Sequence, residues 1–599
     1  MMLTELYRYA LKNNLAARPG FKLKTIKAYI SLSADGKFIA IDPGPAEKVL
    51  CPDLGALANG TTKCNILVEK ATYPLTEDNP KKHAFFFDAL RSGSGAEPMF
   101  AVVLKALETP ATVEAITSAI NMSGKYKMTD AVGFKVDGKP VERSTRYYDW
   151  WDEFRASQIP DNNVGKKRCM ITGDLTKPLA TVPKVSGLLP VGGHSSGDAL
   201  ICFDKAAFCS YELEQAQNAP VSEEAMAAVN SALNELIAKA PKLSGAKWIH
   251  WYQSPVRPEE DLLELIIPRM GERETEEEEQ TYDDLTVNVQ LALNAADRLV
   301  ESARNGEYPE RLTNRYYLLS LSGASGRIMV RSWSQGSYEE LYESVKSWFD
   351  DLRLILPSGK GMCKPPKLFA LNVRLLKIQK NSKKKLSERM AEELSAVEPQ
   401  IIQSIVHNTP LPDTIAARAL QYIRSDMLTS TEDDKGSREV YPDPLACQWL
   451  KIWLLRKQKG GIETVKEELN LESPSIAYHM GRMIAVFADI QARAMGPDLK
   501  TGVIQRYYAA ACTGPALVIG QLSRLSQHHL AKIENRYLKE WYLSLLGEIS
   551  EKIGNNVPTT LTLEQQSEFA LGYYQQRAAI VAERTATKET QKETKIEEA

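Results

Sequence analysis

The chain has 599 residues, 43% apolar and 25% charged, with a net charge of −2, the composition of a soluble globular protein with room for several cores. No apolar run approaches the roughly 18 residues of a membrane span. The eight cysteines form no C-x-x-C pair and the seven histidines no H-E-x-x-H, so neither a metal nor a disulfide framework is expected, and a reducing cytoplasm is the default location.

The opening "MMLTELYRYALKNN" reads as an amphipathic helix and not as a signal peptide, because it lacks a basic start and a long apolar core. "KAYISLSADGKFIAID" predicts a hairpin turning at Asp35-Gly36, and "AVGFKVDGKPVE" a second at Asp137-Gly138, since Asp-Gly supplies the positive φ of a tight turn. "RCMITGDLTKPLATV" predicts a third hairpin, "SGDALICFD" and "KWIHWYQ" single strands, and "APVSEEAMAAVNSALNELIAKA" a helix capped by Ser222. The acidic run Glu272 to Asp284, "ERETEEEEQTYDD", carries −7 and leaves +5 for the rest of the chain, so the bulk charge does not exclude nucleic acid. Beyond it come a helix stopped by Gly306, two strands in "RYYLLSLSGASGRIMVRSW", and the helix "SYEELYESVKSWFDDLRLIL". The strand-strand-helix order suggests part of a ferredoxin-like unit.

From about Leu386 nearly everything reads as helix: "LPDTIAARALQYIRSDM", "DPLACQWLKIWLLRK", "SPSIAYHMGRMIAVFADIQARA" with Ser473-Pro474 at its start, "QLSRLSQHHLAKIENRYLKEWYLSLLGEISEKI" and "LEQQSEFALGYYQQRAAIVAER". The fold class is therefore an α+β N-terminal region with short antiparallel strands and hairpins, followed by an all-α C-terminal helical bundle. The divisions are 1–270 (α+β), 271–285 (acidic linker or loop), 286–385 (α+β), 386–472 (helical connector), 473–582 (bundle) and 583–599 (a tail with no apolar face, read as disordered).

Gly193-His194-Ser195-Ser196-Gly197 fits G-x-S-x-G, the nucleophile elbow of serine hydrolases. An elbow needs a strand before the serine and a helix after it, to hold the oxyanion. Here a strand is expected after it, and no histidine lies in a triad context. The remaining readings are an ordinary connecting loop, or a loop whose glycines let backbone approach a ligand and whose Ser195 and Ser196 suit phosphate oxygens.

The stretch "GGHSSGDALICFDKAAFCSYELEQAQNAPVS", with Ser195, Ser196, Gly197, Phe208, Ser210, Tyr211, Gln215 and Asn218 to Ser222, resembles a signature of the large subunit of type I-C CRISPR effector complexes (Cascade), the Cas-eight-c or Csd-one family. Segments similar to the same family follow one order along the chain: "KCNILVEKATYPL", "CMITGD", "RYYLLSLSGASGRIMVRSW", "AYHMGRMIAVFADIQ", "QHHLAKI" and "GYYQQR". The chain departs from the family's pattern at His194, often glutamine, and at Cys64-Asn65-Ile66, often proline-asparagine-phenylalanine.

The resemblance implies a non-catalytic subunit without cofactors, at the 5′ end of the crRNA, contacting backbone and crRNA-processing Cascade subunits and no membrane. It implies that the subunit reads the PAM (protospacer-adjacent motif) on target double-stranded DNA, helps open the duplex into an R-loop, and recruits a separate helicase-nuclease in trans. Base pairing then reads the long sequence while protein reads the PAM. It also implies a small subunit made from an internal start, for which Met480 and Met483 are the candidates. Both methionines equally suit core packing.

On that basis Asn59, Thr61, Thr62, Lys63 and Asn65 are the first candidates to approach the PAM duplex, through base edges and phosphate, with Ser195 and Ser196 second. Lys166, Lys167 and Arg168 are either phosphate contacts or a solvated basic turn. Arg143 and Arg146 beside Tyr147, Tyr148, Trp150 and Trp151 form either a stacking surface or core. Arg506, Arg524, Lys532, Arg536 and Lys539 mark a basic face able to follow the displaced single strand. Arg577 is either an ion-pair member or a phosphate contact.

Overall fold

The strand Ala28–Leu32 is buried along its whole length, because it sits between two others. It pairs antiparallel with Phe38–Pro43 and parallel with Ala131–Val136, which also carries Glu69–Lys70 and Lys139–Pro140. The two Asp-Gly turns form as expected: Gly36, Asp137 and Gly138 all have positive φ. The computed structural model describes residues 1–597 apart from 16–17, 159–164, 180, 204, 209–212, 214, 268–288, 306–312, 380–383, 430–440, 458–464 and 497–501. The acidic linker and Gly306 lie outside the described residues, as do Ser210 and Tyr211.

The chain divides into two compact units, residues 1–238 with 323–329, and 239–322 with 330–599. The divisions read from sequence at 270, 285, 385, 472 and 582 all fall within the second. In the first unit three successive helices, Pro80–Gly93, Pro98–Glu108 and Pro110–Met122, each begin on a proline, whose missing N–H costs nothing at that position. They cover the five-stranded sheet together with Tyr148–Gln158, and Tyr147 and Trp151 are fully buried in that core. Their burial decides for core at those two positions. The third hairpin is only two residues per strand, Lys167–Arg168 with Leu175–Thr176. The strand expected at "SGDALICFD" does not form. Asp198 and Ala199 make isolated bridges to Val185 and Arg327, and the chain bends at Leu200 after the positive-φ turn at Gly197.

Lys242–Leu243, Ala246–Tyr252, Arg315–Ala324 and Arg327–Ser337 form a four-stranded sheet in chain order, which belongs to the second unit except for residues 323–329. A ferredoxin-like sheet interleaves its strands through crossover helices, so this meander is not one. The helix Tyr338–Asp351 starts with a capping box between Ser337 and Glu340. The bundle is centred on Ile476–Met495, capped by Ser475, which accepts from the Tyr478 N–H. Ser473, the expected cap, instead accepts from His479 Nε2 through its carbonyl. The region read as one helix from 521 to 553 is two, Ala516–Ala531 and Arg536–Ile553, the second capped by Asn535. The last helix, Leu563–Glu597, continues through the stretch read as a disordered tail. That stretch has no apolar face but is rich in good helix formers such as Ala, Glu, Lys and Gln.

Two glycines explain how this bundle closes. A Cβ on Gly481 would lie 2.0 Å from the Phe569 carbonyl oxygen, and one on Gly572 would lie 2.1 Å from that of Tyr478. The central and last helices therefore cross with their backbones in contact. Tyr573, Tyr574, Met480 and Met483 are buried around that crossing. One apolar core runs from Ala246 to Ile580.

Candidate nucleic-acid interface

The Asn59–Asn65 loop is held from below. Asn65 Oδ1 accepts from the Leu54 N–H at 2.9 Å, and the Asn65 backbone N–H and Nδ2 both donate to Glu69 Oε2 at 3.1 Å. Cys64, Ile66, Leu67 and Val68 are buried, and burial pushes the Cys64 thiol up to about 12. Lys63 Nζ donates to the Gln158 carbonyl at 2.9 Å, at the C-terminal end of a helix where a cation is favoured. Asn65 and Lys63 are thus committed to the fold of the loop itself. Between these anchors Thr61 and Thr62 are exposed, so a pinned base presents two hydroxyls. Asn59 ends the short 3-10 turn Gly55–Asn59.

The sequence did not single out Lys82, a buried lysine under this loop. Its Nζ donates to the Ala58 carbonyl at 3.3 Å and to Tyr73 Oη at 3.4 Å, and lies 4.7 Å from the Tyr73 ring centre. The signal was its place on the inner face of the helix begun by Pro80. Lys24, another lysine the sequence reading passed over, donates to the Pro52 carbonyl at 3.2 Å. Burial lowers its pKa.

The glycines of the GHSSG loop serve packing between backbones. A Cβ on Gly193 would meet Asp198 Oδ2 at 2.4 Å, and one on Gly323 would meet Gly193 Cα at 2.1 Å. The buried Asp198 carboxylate accepts the His194 N–H at 3.1 and 3.2 Å. His194 Nδ1 accepts the Ser196 N–H at 3.2 Å and lies 2.8 Å from Ser196 Oγ. A backbone N–H can only donate, so Nδ1 is the acceptor and the neutral ring carries its proton on Nε2. Ser195 is exposed, and among the described residues its hydroxyl has no partner. The imidazole thus serves Ser196, the acid serves a backbone N–H, and no helix follows Ser195. Nothing in this geometry supports the hydrolase reading.

Lys166 is exposed, Lys167 pairs across its hairpin with Thr176, and Arg168 Nη1 donates to the Gly173 carbonyl at 2.7 Å. In the second unit Arg506, Arg524, Lys532 and Arg536 are exposed and Lys539 half-buried. Arg536 pairs with Glu540 at 2.9 Å, and Lys532 Nζ reaches Met495 Sδ at 3.6 Å. Arg577 is not available to a phosphate. It is buried and its Nη1 donates to Asp489 Oδ1 at 2.8 Å.

A family model described as CRISPR-associated protein (Cas_Csd1) matches residues 3–581. The chain belongs to that family. No curated protein matches it. As a Csd1-family protein it is CRISPR-associated, and among the described residues no helix is long and apolar enough to cross a membrane.

Proposed function

We propose that this Csd1-family chain is the large, non-catalytic subunit of a type I-C crRNA-guided surveillance complex. It reads the PAM on double-stranded DNA, assists R-loop formation and offers a surface to a helicase-nuclease that acts in trans. The observation that carries the reading is the family match over nearly the whole chain. The geometry adds a pinned loop that exposes Thr61 and Thr62, and a second loop that exposes Ser195. Small hydroxyls on a rigid base suit close approach to phosphate or base edges, since little ordering is left to be done on binding. The exposed cations Arg506, Arg524, Lys532 and Arg536 suit the displaced strand, whose phosphates dominate affinity.

The test is binding of the reconstituted complex to duplexes with and without a PAM, as a function of salt, alongside an esterase assay with Ser195→Ala as control. PAM-dependent, salt-sensitive binding by a complex containing crRNA is expected. Ester turnover that disappears in Ser195→Ala would overturn the non-catalytic reading.

A further inference from the structure

A groove of about 440 Å³ opens in the second unit between the strand Arg327–Ser337, the helix Glu398–His407 and the loop that follows that helix. Arg331 and Ser332 line it from the strand, Gln400 and Gln403 from the helix, and Pro410 and Pro412 from the loop. A space of this size is in the range of small-ligand sites, where a few polar groups converge beside an apolar wall.

The polar groups have a definite chemistry. Arg331 is exposed and is the only charged residue of the lining. Its Nε donates to Ser322 Oγ at 2.8 Å, and its guanidinium meets no carboxylate among the described residues. Ser332 Oγ is buried and, among the described residues, has no hydrogen-bond partner. Gln403 Nε2 donates to Ser334 Oγ at 2.6 Å, and Gln400 Nε2 donates to the Ala396 carbonyl at 3.2 Å. Those bonds fix which way each amide is turned and leave Oε1 of both as acceptors for a ligand. Gln400 is the more exposed of the two.

We propose that this groove holds one nucleotide of a single strand, with its phosphate on Arg331 and its exocyclic amine on Gln400. The amine of adenine or cytosine donates to Gln400 Oε1, as bases do to the amides that read them. The ring lies against the prolines. Uracil carries a carbonyl oxygen where cytosine carries the amine, and would set acceptor against acceptor. An acidic peptide side chain would satisfy Arg331 and bring no donor to the glutamines. The inference rests on the nucleic-acid reading above and adds a base-selective contact apart from the Thr61-Thr62 and Ser195 loops.

The test uses the full chain with AMP, CMP and UMP, followed by ligand-observed NMR. AMP and CMP should bind about tenfold tighter than UMP, the scale of one hydrogen bond made or refused. Arg331→Gln should weaken AMP by about tenfold and leave adenosine, which has no phosphate, unchanged. Gln400→Leu should remove the preference over UMP. Photoactivated 8-azido-AMP should crosslink within residues 399–412, and the trinucleotide UpApU should displace it. Equal binding of the three nucleotides, crosslinking elsewhere only, or failure of UpApU to compete would each overturn the proposal. So would displacement of AMP by inorganic phosphate or by an acetylated, amidated glutamate at the concentration at which AMP itself competes. If Gln400→Leu alters the circular dichroism, Arg331→Gln and the crosslink decide. Loss of PAM-dependent binding by the complex would strike the functional reading, whereas equal binding of the nucleotides strikes this site alone.

Discussion

Replacing Asp489 by Asn should loosen the C-terminal bundle and spare the N-terminal unit. Asp489 is 2% exposed at the side chain and serves three partners on two other helices. Oδ1 accepts from Arg577 Nη1 at 2.8 Å and from Arg584 Nη2 at 2.5 Å, and Oδ2 accepts from the Tyr542 hydroxyl at 2.5 Å. Removing the carboxylate charge takes from the buried Arg577 the acid it pairs with at 2.8 Å, and breaking a buried ion pair costs about 3–5 kcal/mol. In a chain with two units a single unfolding free energy is not well defined, so the assay is native-state hydrogen exchange resolved by segment. Opening free energies in Ile476–Met495 and Arg536–Ile553 should fall by about that amount, and those in Ala28–Leu32 should not change. The sign with pH follows. Burial pushes the Asp489 carboxyl up, but Arg577, the Tyr542 hydroxyl and Arg584 outweigh it and hold the pKa below the ordinary value. A depressed folded pKa gives stability that is fully present above the unfolded value, about 3.9, and is lost as pH falls through the folded value. Wild type and variant should therefore differ fully at pH 7 and converge below about pH 4. A loss under about 1 kcal/mol at pH 7, or an equal loss in the N-terminal unit, would refute the argument.

Asn65→Ala should free the Leu54 N–H and Glu69, loosen the Thr61-Thr62 tip and reduce discrimination between PAM and non-PAM duplexes. The scale is roughly 1–3 kcal/mol if a base contact is lost, read from competition binding; Asn59→Ala should also reduce discrimination, and Lys63→Ala, which releases the loop from the Gln158 carbonyl, should act as Asn65→Ala does. Gly481→Ala should destabilise the bundle by at least about 1–3 kcal/mol, since its Cβ would lie 2.0 Å from a backbone carbonyl oxygen that cannot swing aside; segment-resolved exchange tests it, with the open-sided Gly520→Ala as control. If a small subunit is made from an internal start, it should begin at Met480. A start at Met483 would discard Arg482, a fully buried residue that donates to Gln576 Oε1 and Glu548. Native mass spectrometry of complexes carrying Met480→Leu or Met483→Leu should show the short chain lost only with the former.

Local signals in the sequence were enough for the outline of this protein. Asp-Gly turns, the Ser222 cap and the 3.6-residue apolar period report interactions between near neighbours, so they place hairpins and helices without knowledge of the rest; Ser473-Pro474 did not mark its helix start, which is capped by Ser475. The motif order along the chain carried the family for the same reason, being a property of the chain alone. Tertiary structure decided what depends on distant partners. "SGDALICFD" has the apolar content of a strand, but Gly197 bends it and only Asp198 and Ala199 find neighbours. The glycines of GHSSG read as ligand-facing, yet Gly193 and Gly323, 130 positions apart, are there because their backbones touch. Asn65 and Lys63 read as donors to nucleic acid, and the fold spends them on Leu54, Glu69 and Gln158. A polar side chain looks the same in sequence whether it faces solvent or satisfies a buried backbone group, and only the folded chain says which carbonyl or carboxylate it reaches.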